Sequence, residues 1–118
     1  MENKHIELMI RDVCARIPYG VKAYVNNYWC DEYIVETVTG VDIDEGDFLI
    51  ANIPGGRNAF TDVKPYLFPM SSMTAEQKRE YILGNEQHNV DWLNKNHFDY
   101  RGLIEMGLAL DATGKNIY

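Results

Sequence analysis

A β-rich stretch over residues 21–61 lies between one helical pattern before it and several short helical patterns after it. Such segregation of strands and helices along a chain favours an α+β fold, in which helices cover one face of an antiparallel sheet. The length of 118 residues is that of one ordinary domain, so we expect a single globular domain over residues 1–118.

The strand prediction depends on apolar residues that roughly alternate with polar ones between turn signals. Residues 21–28 and 32–39 are β-rich, and residues 29–31 between them fit a hairpin loop. Gly40 is expected to end the second strand, and further short strands are predicted at 41–43, 48–51 and near 59–61. The predicted sheet is therefore small and antiparallel, with four to five strands. Pro65 and Pro69 bracket three large apolar residues, which predicts an extended strap across the sheet.

An N-terminal helix is predicted from apolar residues at helical spacing. Its apolar face, which is expected to pack on the sheet, is formed by Ile6, Ile10, Val13, Cys14 and Ile17. The charged residues that occupy the rest of the helix are Glu7, Arg11, Asp12 and Arg16. Pro18 ends the helix, because the residue before a proline is pushed out of the α region.

Two to three short helices are predicted after residue 73. Thr74 and Gln77 form a capping box that opens the first, which should stop at residue 84. A polar linker is expected at residues 85–89 and a second helix at residues 90–97. A third helix is predicted over residues 100–106.

The sequence has residues typical of a helix start and of a helix end on either side of the third predicted helix. Asp99 is the expected N-cap, accepting from the backbone N–H of Arg101 or Gly102, and Asn is expected to cap equally well. Phe98 and Leu103 have the spacing of a hydrophobic staple. Gly107 supplies a stop, since it adopts a left-handed conformation at little cost.

Composition excludes several classes of protein. The net charge is −7 and no stripe of Lys and Arg is present, so direct nucleic-acid binding is not expected. No segment approaches the roughly 20 apolar residues of a membrane span, and a soluble, cytoplasmic protein is the expectation. Cys14 and Cys30 are expected to be free thiols in a reducing compartment. No cofactor and no metal site are expected.

Three segments have a distinctive amino-acid sequence: residues 11–21 (RDVCARIPYGV), residues 62–74 (DVKPYLFPMSSMT) and residues 91–111, whose core is HFDYRGLI. Together they resemble a family of small uncharacterised proteins from prophages and mobile elements of Bacteroides-type gut bacteria. The family carries no activity to transfer. The resemblance implies an accessory protein of a phage or mobile element that acts inside a bacterial cell.

Four carboxylates lie within six residues, at Asp42, Asp44, Glu45 and Asp47. A calcium loop counted from Asp42 would need a ligand at its fifth position, Gly at its sixth and Glu at its twelfth, and the chain has Gly46, Asp47 and Ile53 there. The pattern fails at three points. A solvated hairpin turn is favoured, and the alternative is a negative surface for a basic partner.

The best cluster of recognition residues comprises Trp92, His97, Tyr100 and Arg101. Trp, Tyr and Arg dominate binding hot spots, which gives this cluster a candidate binding role. The competing interpretation is structural, with Trp92 and Tyr100 as core anchors and Arg101 paired with Asp99 or a helix end. No residue is assigned a catalytic role.

Three functions fit these observations. The leading hypothesis is a non-catalytic module that binds a host or element-encoded protein. The alternative is a protein that binds or sequesters a small, nucleotide-like ligand, and a small hydrolase is the third. A sequestering protein would show an apolar pocket that carries Arg or Lys, whereas an enzyme would show converging titratable side chains in a cleft.

Overall fold

The computed structural model describes residues 3–27, 32–83 and 86–118, without the side chains of residues 3, 82, 83 and 86–88. Its helices are α1 (Asn3–Arg16), α2 (Ala75–Leu83) and α3 (Glu86–Lys95). Its strands are β1 (Lys22–Asn27), β2 (Glu32–Asp42), β3 (Asp47–Ile50), β4 (Arg57–Ala59), β5 (Lys64–Pro69), β6 (Phe98–Asp99) and β7 (Leu110–Asp111). The α+β class is confirmed. The hairpin loop expected at residues 29–31 and the helix stop expected at residue 84 lie outside the described residues.

The described strands form one mixed sheet of seven, in the order β4-β3-β2-β1-β5-β6, with β7 also paired to β5. Strand β5 is antiparallel to β1 but parallel to both β6 and β7. The predicted sheet of four to five antiparallel strands is therefore too small, and its pairing is not uniform. Strands β6 and β7 have two residues each, too few for any alternation to reveal them.

The segment predicted to be a strap across the sheet is strand β5, which lies within the sheet. The strap prediction is therefore wrong. Strand β5 has β1 on one side and β6 with β7 on the other. Pro65 and Pro69 lie near its two ends, where a missing N–H removes few ladder bonds. Tyr66 and Leu67 between them are buried.

Gly40 does not end the second strand, as the sequence had indicated. Strand β2 continues to Asp42, and its register against β3 shifts between Val38 and Gly40. A Cβ at Gly40 would come within 3.0 Å of Leu49 Cδ1 on the neighbouring strand. The glycine therefore permits a close approach of β2 and β3 at a bulge.

The main core lies between α1, one face of the sheet and residues 103–109. Ala23 and Val25 of β1 point into it, whereas Tyr24 between them is exposed on the other face. Helix α1 contributes Met9 and Val13. Met9 was not on the predicted apolar face, and Ile10 is only partly buried. The buried side of α1 also carries Asp12 and Arg16, which the sequence pattern had placed on the rest of the helix.

A second cluster joins α2, α3 and β6 around Met73, Leu93 and Phe98. Helix α2 begins with the predicted capping box, in which Thr74 N–H donates to Gln77 Oε1 at 2.8 Å and Gln77 N–H donates to Thr74 Oγ1 at 3.1 Å. Helix α3 begins at Glu86, so the polar linker predicted at residues 85–89 is mostly helical.

Residues 100–107 form turns and not the predicted third helix. Asp99 caps them, but it accepts from Leu103 N–H and Ile104 N–H, both at 2.9 Å, and not from Arg101 or Gly102. Gly107, predicted to stop this helix, has the expected left-handed conformation, with φ +75°, but it closes a turn and not a helix. Leu108 N–H donates to Leu103 O at 3.0 Å and Gly107 N–H donates to Ile104 O at 3.1 Å, the two bonds of a Schellman motif. Phe98 and Leu103 lie in different clusters, so the staple is not the device that fixes this segment.

Candidate functional site

A buried ionic cluster lies where α1 meets the chain after β6. Asp12 and Arg16, four residues apart on α1, are fully buried. Arg16 Nε and Nη2 donate to the two oxygens of Asp12 at 2.9 and 3.1 Å, and Arg101 Nη1 donates to Asp12 Oδ1 at 2.8 Å. Two cations thus share one carboxylate.

Arg16 also holds the backbone around His97 in place. Its Nη1 donates to Leu93 O at 3.3 Å and its Nη2 donates to Phe98 O at 2.6 Å. These carbonyls bracket residues 94–97, which comprise the last residues of α3 and the turn that leads into β6. A buried guanidinium is tolerated only when its donors are satisfied, and here the Asp12 carboxylate and the two carbonyls on either side of the turn supply the acceptors.

His97 sits in this turn in a left-handed conformation, with φ +60°. It is 5% exposed. The conformation is uncommon outside glycine, although histidine adopts it more readily than most residues. The Arg16 bonds on both sides of the turn therefore stabilise an unusual backbone that directs His97 inward.

A pocket of about 530 Å³ opens beside this turn. That volume is within the usual range for small-molecule sites. Five rings and several polar groups share the lining, which consists of Tyr19, Phe68, Ser72, Gln77, Lys95, Asn96, His97, Phe98, Thr113, Gly114 and Tyr118. No carboxylate side chain is among the residues that the structure shows lining it.

Tyr118 is tied into the sheet at the back of the pocket. Its ring stacks on His97 with centroids 3.9 Å apart and planes at 12°. Its hydroxyl donates to Tyr66 O at 2.7 Å and accepts from Lys22 N–H at 2.9 Å, so it joins β5 to β1. The residue as a whole is 42% exposed, yet burial raises the pKa of its phenol to about 12. The Arg16 bonds thus fix the His97 side of the stacked pair, and the bonds of the Tyr118 hydroxyl to β1 and β5 fix the other side.

The His97 imidazole is neutral at neutral pH. Burial lowers its pKa to about 4, and the positive charge of Arg16 acts in the same direction, while Asp12 and the Tyr19 backbone act against it. Nδ1 is buried and has no hydrogen-bond partner among the residues that the structure describes.

The four predicted recognition residues divide between three places. His97 lines the pocket. Trp92 stacks on Phe98 at 5.5 Å in the second cluster, and its Nε1 donates to Glu80 at 3.2 Å. Tyr100 and Arg101 belong to the ionic cluster, where Arg101 Nη1 donates to Tyr100 Oη at 2.8 Å. The predicted pairing of Arg101 with Asp99 is replaced by its contact with Asp12.

The acidic turn binds a cation from its own chain. Arg57 Nη1 contacts Asp42 Oδ2 at 3.2 Å and Asp47 Oδ2 at 3.3 Å, and these hydrogen bonds raise the pKa of Arg57. Asp44 and Glu45 are exposed in the turn. Half of the predicted acidic surface is therefore occupied by Arg57.

Sequence reasoning missed Asp12, Arg16, Lys95 and Tyr118. The i, i+4 spacing of Asp12 and Arg16 is a helical ion-pair signal, but such pairs usually lie in solvent. No local pattern marks Tyr118, whose partners are 52 and 96 residues away.

The other face of the sheet carries an aromatic groove. Tyr24 and Tyr33 stack there at 4.9 Å, and together with Val35 they are 37–42% exposed. A groove of about 240 Å³ runs beside them, lined also by Thr61, Asp62, Lys64 and Leu110.

Comparison with family models, with curated proteins and with solved structures gives no significant match. Among the described residues, no helix has the length and apolar character needed to cross a membrane. Within the same residues, no three His, Cys, Asp or Glu side chains converge as a metal site would require. Cys14 is a free thiol whose pKa is raised by burial, and Cys30 lies outside the described residues.

Proposed function

We propose that this protein binds a small molecule in the pocket beside His97 and holds it without converting it. The observation that carries the proposal is the lining, which combines aromatic walls with Lys95, amides and hydroxyls in one cavity of about 530 Å³. Apolar walls with a few convergent polar groups are typical of small-molecule sites. Of the functions that the sequence left open, this arrangement favours the ligand-binding alternative.

The lining supports holding the ligand over hydrolysing it. General acid–base catalysis needs a group whose pKa lies near the working pH. His97, with its pKa lowered to about 4, stays neutral, and no carboxylate side chain is among the residues seen lining the pocket. The carboxylate of the ionic cluster, Asp12, already accepts from two arginines.

We propose further that the protein is an accessory factor of a phage or mobile element. The three segments that carry the family resemblance supply much of the pocket: Tyr19 from the first, Phe68 and Ser72 from the second, and Lys95, Asn96, His97 and Phe98 from the third. Withdrawing a small host metabolite by tight binding is a role that a small protein with such a pocket can fill.

The test is ligand capture from a metabolite extract of a Bacteroides-type host, with bound molecules identified by native mass spectrometry. Thr113→Trp should fill the pocket and abolish capture. Lys115→Trp, on the same exposed turn but outside the lining, is the matched control and should leave capture unchanged. Capture that survives in the Thr113 variant, or no enriched molecule in wild type, would overturn the proposal.

A second candidate function is protein binding through the open sheet face. It is favoured by the exposed Tyr24, Tyr33 and Val35, since contiguous apolar patches on a surface commonly mark interaction sites. Its test is capture from a whole-protein lysate of the same host, with bound proteins identified by mass spectrometry. A captured protein that is lost with Tyr33→Ser and retained with Thr113→Trp would assign binding to this face.

A further inference from the structure

Strand β2 extends beyond the strand that pairs with one of its edges. Its first half, residues 32–37, pairs with β1 on one edge, whereas β3 pairs with residues 38–42 on the opposite edge. Among the described residues, no strand pairs with that second edge at residues 33–35. The first half of β2 is therefore an edge strand, although its second half lies inside the sheet.

Two hydrogen bonds show which backbone groups point to the open edge. Val38 N–H donates to Val21 O at 3.0 Å, so Val38 directs its backbone groups toward β1. Ala51 N–H donates to Thr37 O at 3.0 Å, so Thr37 directs its groups to the opposite edge. These directions alternate along a strand. The odd-numbered residues in the first half of β2 therefore face the open edge.

Tyr33 and Val35 are those residues, and they present two N–H and two C=O groups there. Asn26 lies opposite Tyr33 on β1, but its N–H and C=O are bonded to the Asn58 side chain at 2.8 and 2.9 Å. Tyr33 and Val35 are 42% and 40% exposed, so a partner can reach this edge. A row of open backbone groups on an exposed strand is a template for pairing with another chain.

We propose that this edge binds an extended segment of another protein, which pairs antiparallel with β2 and carries Lys or Arg opposite Glu32 and Glu36. Main-chain hydrogen bonds give such strand addition its affinity, and alternate side chains give it specificity. Residues of the segment opposite Tyr33 and Val35 lie on the exposed apolar face and are themselves apolar. The proposal does not depend on the pocket beside His97, and it gives the second candidate function a binding mode.

The two glutamates determine the charge of the segment. Glu32 is exposed and Glu36 is half-buried, and neither belongs to the ion pairs found among the described residues. Asn52 Nδ2 donates to Glu36 Oε2 at 3.4 Å, which leaves the charge of Glu36 uncompensated. Opposite charges that face each other across paired strands stabilise the pair, and the net charge of −7 attracts a cationic segment.

A second copy of this chain fits the edge poorly. Two β2 strands would use all four open groups of each copy only in the register centred on Ile34, where Tyr33 of one copy lies opposite Val35 of the other. The same register places Glu32 opposite Glu36 twice. Like charges directly opposite each other destabilise a strand pair. The glutamates therefore disfavour self-association at the edge that they open to a cationic strand.

The experiment selects binders from a random library of displayed nonapeptides on the immobilised, intact protein. Enriched peptides should share two Lys or Arg residues four positions apart, with apolar residues one and three positions after the first of them. Failure to enrich any peptide, or enrichment without this pattern, would overturn the proposal.

Amide hydrogen exchange on the unmodified protein tests the pairing residue by residue. An enriched peptide at ten times its Kd should slow exchange about tenfold at Tyr33 and Val35, whose N–H groups are open without it. Ile34 N–H already faces β1 and is the internal reference, protected before the peptide is added. Fast exchange at Tyr33 and Val35 in the saturated complex would refute strand addition.

Three variants test the two contributions separately. Val35→Pro removes an N–H on the open edge, where proline is tolerated, and should weaken the peptide at least about tenfold. Glu32→Lys should weaken it about fivefold, because one attraction becomes a repulsion. Glu45→Lys, exposed in the turn after β2, makes the same charge change and should leave binding unchanged. Equal losses in the two Lys variants would refute the pairing of Glu32 with a cation.

The outcomes also separate this proposal from its alternatives. A protein captured from the lysate that requires Tyr33 but still binds the Val35→Pro variant, with both amides exchanging fast, would bind the face of the sheet and refute strand addition. Sedimentation of the pure protein as a dimer, with Tyr33 and Val35 protected without peptide, would make a second copy the occupant. Neither result bears on the Thr113→Trp test of the pocket.

Discussion

Asp99 uses both of its carboxylate oxygens at once. Oδ1 accepts from Leu103 N–H and Oδ2 from Ile104 N–H, each at 2.9 Å. The residue is 8% exposed, so water cannot readily replace either bond. The sequence identified the capping role, but it placed the bonds on other donors and treated Asn as an equal substitute. The geometry changes that expectation, because an amide has only one acceptor oxygen.

Asp99→Asn is therefore expected to destabilise the protein by about 1–3 kcal/mol, since one backbone N–H then faces an NH₂ group. Asp99→Ala should cost more, about 2–4 kcal/mol, because both donors lose their acceptor. The measurement is the free energy of unfolding in urea. The matched control is Asp111→Asn, where one oxygen accepts from Thr113 N–H at 2.8 Å in an exposed turn. That change should stay within about 0.5 kcal/mol. Equal stabilities of the two Asn variants would contradict the two-oxygen cap.

At the scale of the element, α1 shows how a correctly predicted helix can have a buried face that is rotated from the predicted one, with Val13 common to both. Periodicity alone favoured Ile10, but the buried positions are Met9, Asp12, Val13 and Arg16. The spacing of apolar residues on a helix gives no sign that Asp12 and Arg16 will form a buried ion pair. It also gives no sign that Arg16 will donate to backbone carbonyls of α3 and β6. Once they do, the helix turns its charged pair inward.

Met9→Ala should consequently destabilise the protein by about 2–5 kcal/mol, the usual effect of emptying a core site. Ile10→Ala should cost less, about 1 kcal/mol, because Ile10 is partly exposed and packs at the margin of the core. Glu7→Ala, on the exposed side of the helix, is the control and should change stability by less than about 0.5 kcal/mol. Chemical denaturation distinguishes them. A larger loss at Ile10 than at Met9 would restore the face that the sequence pattern favoured.

For the molecule as a whole, the buried His97 couples folding to pH. Its pKa is lowered from 6.5 to about 4 in the folded protein. Between these values the unfolded chain binds a proton that the folded chain excludes, so stability rises with pH in this window. The contribution is complete above pH 6.5 and is lost as the pH falls toward 4.

The expected loss on acidification is about 1–3 kcal/mol, because one pKa unit corresponds to roughly 1.4 kcal/mol and solvent in the open pocket screens part of it. Thermal unfolding at a series of pH values from about 4 to 7 measures it. His97→Asn removes the titrating group and should flatten the profile across that window. An unchanged slope in this variant would mean that other groups, such as surface carboxylates, carry the dependence.

The sequence by itself determined the features whose interacting atoms are few residues apart. The capping box of Thr74 and Gln77 spans three residues, and the glycine stop at Gly107 needs only its own turn. The long strands of the β1–β2 pair were readable for the same reason, since alternation is a local property. The α+β class followed from the order of these local elements.

The tertiary structure decided what depends on distant partners. Strand β5 is a central strand only because β1, β6 and β7 pair with it, and its prolines suggest otherwise when read alone. Asp12 is buried because Arg101, 89 residues away, joins Arg16 in neutralising it. The pocket likewise exists only where Tyr118 returns to stack on His97. Which residues are buried and where a cavity forms depend on which elements pack against each other. That packing is determined by the whole fold and not by any single segment of the chain.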